Sequence, residues 1–160
     1  MPSRNTPIAR FWLALVLLII GRPCLAMSLE QQFAGLADCS MENVYLDASD
    51  HQPRGAYFSE RQLQPCELDE AARYCVDDQY HGLAVSAVMI PYRGPFSVHA
   101  LYLKDSVDSV RQHLGTAFFG DGRERPLLTE DRHTPGSSVL YCDPQSPVSY
   151  THLTLPTIYS

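Results

Sequence analysis

The chain has 160 residues, 45% of them apolar, with 12 Lys plus Arg against 18 Asp plus Glu and a formal charge of −6. That length fits one domain, and the apolar share and lack of any run of eighteen apolar residues argue against a disordered chain and a membrane-spanning one. An acidic balance also argues against nucleic-acid binding, which needs a surplus of Lys and Arg on one face.

The charge is unevenly spread. Arg4 and Arg10 flank an acid-free start, residues 11–20 read FWLALVLLII, and Gly21-Arg22-Pro23 breaks the run. This is the layout of a secretory signal peptide over residues 1–26. Ten apolar residues span about half of what a transmembrane helix needs. Cys24 and Ala26 are the small residues at −3 and −1 of a cut after Ala26, so Cys24 leaves with the leader. Residues 27–147 read as one exported domain. Within it residues 27–146 hold nine basic and eighteen acidic side chains, a net −9.

Ser28-Leu29-Glu30-Gln31 has capping-box spacing, and Leu29, Phe33 and Leu36 recur at helical intervals, which predicts a helix to about residue 37. β-rich runs then cover residues 43–47, 56–63, 73–77 and 83–90, the last with Leu83, Val85, Ala87 and Met89 on one face. Pro91-Tyr92-Arg93-Gly94-Pro95 is a turn, residues 98–104 return as a strand, and 83–104 read as a hairpin. A second helix opens at Asp105 or Ser106 with Val107, Val110, Leu114 and Phe118 as its apolar stripe, and Phe119-Gly120-Asp121-Gly122 ends it. Two short strands, 126–130 and 137–142, flank a Thr134-Pro135-Gly136 turn. The order predicts an α+β fold: a small antiparallel sheet of about five to six strands with two helices on one face, stabilised by disulfides.

Residues 148–160, VSYTHLTLPTIYS, contain no charged side chain. Val148 to Thr157 resembles, over all ten residues, the translated read-through of a transposase-type sequencing-library adaptor. The resemblance implies a non-native tail and a coding sequence interrupted near Pro147.

Cys39, Cys66, Cys75 and Cys142 remain after export, an even number suited to two bridges in an oxidising compartment. Tyr74-Cys75 and Tyr141-Cys142 both sit in predicted strands, which favours pairing Cys75 with Cys142 and Cys39 with Cys66. Successive cysteines are separated by 26, 8 and 66 residues with no Cys-x-x-Cys pair, which weakens both a zinc site and thiol redox catalysis.

No other catalytic pattern emerges. His51, His81, His99, His113 and His133 form no i, i+2 or i, i+4 ligand pair, and Gly-x-Ser-x-Gly is absent. Asp69-Glu70 and Asp77-Asp78 are adjacent acids, but neighbours on a strand point to opposite faces. Gly120-Asp121-Gly122 lacks the Gly-Lys-Ser/Thr ending of a phosphate loop. The turn carrying Tyr92, Arg93 and Phe96 puts an Arg between two aromatics on a proline-stiffened loop, a composition favoured at binding surfaces. The sequence therefore points to a non-enzymatic periplasmic or secreted domain with no cofactor and no metal. Its predicted partner is a basic protein or an envelope component, with no nucleic acid and no membrane span after leader removal. The alternative is an envelope-acting hydrolase with part of its site beyond residue 147.

Overall fold

The computed structural model describes residues 26–41, 43–92 and 98–144. Residues 1–25 of the predicted leader, Arg93 and Phe96 of the predicted recognition turn, and the predicted adaptor-like tail lie outside these residues. Ser28 caps the first helix, α1 (Leu29–Gln32): its hydroxyl accepts from Gln31 N, and the Gln31 side chain accepts from Ser28 N, closing a capping box. A 3-10 turn, Ala34–Asp38, comes next, and Cys39 ends it in the left-handed region at φ 56°. Leu29, Phe33 and Leu36 are fully buried.

Two short strands, β1 (Tyr45–Leu46) and β2 (Pro53–Arg54), form a separate antiparallel pair. The predicted strand at 56–63 is instead the helix α2 (Ala56–Glu60), with Tyr57 and Phe58 both buried. Gly55 turns the chain at φ 140°, the Gln32 side chain accepts from Tyr57 N, and Phe58 packs its ring 4.8 Å from Tyr74 and 6.4 Å from Phe33. Strand propensity of adjacent aromatics gives way here to a tertiary seat that takes both rings at once.

The main sheet is antiparallel with six strands in the order β3-β4-β5-β6-β8-β7. These are β3 (Glu67–Leu68), β4 (Ala71–Tyr80), β5 (Leu83–Pro91), β6 (His99–Leu103), β7 (Leu127–Glu130) and β8 (Ser138–Cys142). Strands β5 and β6 form the predicted hairpin, pairing Met89 with Ala100 and Val85 with Leu103. The helix α3 (Val107–Leu114) starts at an N-cap Ser106 that accepts from Ser109 N; Phe118 falls in a separate 3-10 turn, Thr116–Phe118.

One face of the sheet carries the core. Tyr74, Val88, Leu101, Leu140 and Leu128 line up across five strands by register, and all are buried. Leu29, Leu36, Tyr57, Phe58 and Val110 from the helical segments join the same cluster. The predicted stripe Leu83, Val85, Ala87, Met89 is corrected. Pairing is irregular on both sides of Ser86, so Val88 and Ile90 continue the inner face and Met89 turns to the outer one.

The cysteine pairing is also corrected. Cys39 bonds Cys142 with Cα atoms 5.4 Å apart, and Cys66 bonds Cys75 at 5.8 Å. Cys75 points outward, level with Ala87, whereas Cys142 points into the core. Strands β5 and β6 separate them, a distance of about 14 Å at ordinary strand spacing, so the two cannot bridge.

Candidate functional site

The opposite face of the sheet is built by two cross-strand rows. Register aligns Glu67, Arg73, Met89, Ala100, Tyr141 and Leu127 across all six strands, and Cys75, Ala87, Tyr102, Val139 and Thr129 across five. Each described helix sends its buried side chains to the other face, so no described helix covers this one. Met89, Tyr102, Val139, Tyr141 and Leu127 are half-buried there, while Ala87 and Ala100 are buried.

Two adjoining cavities lie along these rows. One, of about 460 Å³, lies among Glu67, Asp69, Glu70, Arg73, Met89 and Tyr102. The second, of about 360 Å³, continues over Ala100, Val139 and Tyr141 to Thr129, Glu130 and Arg132. Met89, Val98, Tyr102 and His133 border both, so the two make one trough running across the strands.

The side chains in the trough are positioned by identifiable contacts. The Arg73 guanidinium lies 4.2 Å from the centroid of the Tyr102 ring and 3.4 Å from Glu67 Oε2. Burial raises the Tyr102 hydroxyl above its ordinary pKa, with Arg73 acting in the opposite direction. Tyr102 Oη points to Met89 Sδ at 3.8 Å. Glu67, Asp69 and Glu70 occupy β3 and its connection to β4, which the Cys66–Cys75 bridge pins to β4. At the far end Asp131 is buried and engaged, accepting from His133 N and Ser137 Oγ. The trough is therefore an apolar floor with three carboxylates and one guanidinium at its β3 end.

The other residues singled out in sequence have defined places. Asp77 meets Lys104 at 2.7 Å while Asp78 accepts from the Tyr57 hydroxyl at 2.9 Å, so the adjacent acids do diverge. Asp69 and Glu70 both line the trough. His99 is buried against the Val44 carbonyl; His113 Nε2 contacts the His81 carbonyl at 2.7 Å; His81 pairs with Glu30 at 2.9 Å. Asp121 accepts from the backbone N–H of Arg123 and Glu124, which lowers its pKa and makes Gly120-Asp121-Gly122 a turn. Tyr92 bridges Leu46. Among the described residues no group of three or more His, Cys, Asp or Glu is arranged to hold a metal, and no helix is long and apolar enough to cross a membrane.

Arg73, Met89 and Tyr102 do not stand out as a site in the sequence, because residues from strands far apart in the chain meet only through sheet register. No protein-family model, curated protein or solved structure matches the chain.

Proposed function

We propose that residues 27–147 form an exported, non-catalytic binding domain whose outer sheet face takes an extended basic segment of another protein. One observation carries this reading: an apolar trough that no described helix covers, with an excess of carboxylates at one end. Four strand spacings separate β4 from β7, about 19 Å, which matches about six residues of extended chain. Apolar side chains of such a segment would rest on Met89, Tyr102, Val139 and Tyr141. A Lys or Arg would meet Glu67, Asp69 and Glu70, of which only Glu67 is paired with Arg73 among the described residues. The net −9 of residues 27–146 would steer a basic partner toward the domain from a distance.

The leader-like residues 1–26 and the two disulfides support an oxidising destination. Residues 148–160 are read as a non-native tail and given no part in binding.

The test uses a labelled hexapeptide with Arg at one end and alternating Leu, monitored by fluorescence anisotropy. Affinity should fall at least tenfold between about 20 and 300 mM salt, since screening shortens the reach of the carboxylates. Glu67→Lys with Glu70→Lys should reduce binding by a similar factor. Asp108→Lys, on a helix behind the sheet, should change it by less than twofold. Binding that ignores both salt and the Glu67/Glu70 reversal refutes the proposal.

A further inference from the structure

We infer that the chain is cut at the Ala26–Met27 bond and that the α-ammonium created there docks on Glu60, making the mature amino terminus a working part of the fold. The inference rests on the export reading above but not on the trough. Its basis is a change in the backbone at one residue. Ala26 is exposed, whereas Met27 is half-buried and gripped at both main-chain groups. Met27 N lies 2.7 Å from Glu60 Oε2, and the Met27 carbonyl accepts from Arg61 Nη1 at 2.8 Å. The next residue, Ser28, is the N-cap of α1. The small residues at −3 and −1, Cys24 and Ala26, set the same bond from the sequence side.

Hydrolysis there is written simply. A leader-removing endopeptidase adds water across the amide, Ala26 leaves with a free carboxylate, and Met27 N takes up protons to become an ammonium. The nitrogen already faces Glu60, so an amide hydrogen bond becomes a charge-assisted one without a rearrangement of α2. Arg61, one residue on, keeps its hold on the Met27 carbonyl and on the Tyr57 carbonyl, so the guanidinium is held by acceptors beside the new charge. Processing thus strengthens the tie between the start of α1 and the end of α2, the two helices that carry Leu29 and Phe58 into the core.

Two measurements test this. The full chain is expressed with its leader in a bacterial host, and protein recovered from the periplasm is analysed by intact mass and N-terminal sequencing. Met27 is expected as the first residue. A leader removed at another bond overturns the inference and leaves export standing; an uncut chain overturns both. In the recovered protein Glu60→Gln should then lower Tm by about 3 °C, as for one favourable surface ion pair. In a version with Ala-Gly-Ser inserted between Ala26 and Met27, where Met27 N returns to an amide, the same substitution should cost less than half as much. An equal drop in both versions overturns the Glu60 pairing. Should Glu60→Gln fail to fold, the insertion alone, which keeps every side chain, must lower Tm relative to the uninserted protein.

Discussion

The two disulfides close loops of very different size, and their removal should separate them cleanly. Cys39 and Cys142 are 103 positions apart, Cys66 and Cys75 only nine. By the chain-entropy relation, opening the long loop costs about 4.7 kcal/mol and opening the short one about 2.7 kcal/mol. Cys142 is 3% exposed and packs in the core, so its loss adds a small void, whereas Cys66 and Cys75 are both exposed. At about 4 °C per kcal/mol for a domain of this size, Cys39→Ala with Cys142→Ala should lower Tm by about 19 °C or more. Cys66→Ala with Cys75→Ala should lower it by about 11 °C. Against a typical total of about 5–15 kcal/mol, only the second variant keeps a comfortable margin. Thermal unfolding monitored by far-ultraviolet circular dichroism suits the comparison, because Trp12, the single tryptophan, belongs to the leader-like segment. A larger loss from the short-loop variant would refute the reasoning from loop length and burial.

Three more outcomes rest on particular contacts. The Asp47 carboxylate accepts from the Ser49 hydroxyl and from Arg54, and these bonds hold its pKa well below the usual carboxylate range. Its stabilising contribution is thus present above the unfolded value of about 3.9 and lost as pH falls below it, so Asp47→Asn should flatten the acid limb of a Tm-against-pH curve. The Tyr80 hydroxyl is buried with no hydrogen-bond partner among the described residues, and burial pushes its pKa up to about 12. Tyr80→Phe should therefore leave stability unchanged or raise it by about 1 kcal/mol in urea titration, where a loss above that size would show that the hydroxyl is satisfied in solution. Ile90 is fully buried and Met89 faces the trough, so Ile90→Ala should cost about 2–5 kcal/mol and Met89→Ala less than half of that. The reverse order in the same titration would restore the uninterrupted stripe.

What could be read from the sequence was local. The capping box at Ser28 and Gln31 and the N-cap at Ser106 depend on spacings within one turn, and the hairpin at 83–104 on alternation around one turn. Features decided across the sheet were not legible. Alternation alone cannot reveal the irregular pairing around Ser86 that exchanges Met89 for Val88, and no local pattern tells that Cys39, left-handed at the end of a 3-10 turn, reaches Cys142. Tyr57 and Phe58 read as strand because their propensity favours it, yet they sit in a helix where Phe58 packs against Phe33 and Tyr74 and Tyr57 packs edge-on against Phe58. The trough is the extreme case: Glu67, Arg73, Met89, Ala100, Tyr141 and Leu127 come from six strands and share a row only through register.

Where a basic peptide lands on the protein is the most direct measurement. In an amide nuclear magnetic resonance titration with the Arg-ended hexapeptide, outer-face binding predicts shifts concentrated at Glu67, Glu70, Arg73, Met89, Tyr102 and Val139, with the amides of α1 and α3 unmoved. Shifts centred on the helical side, or spread evenly over the acidic surface, would contradict it.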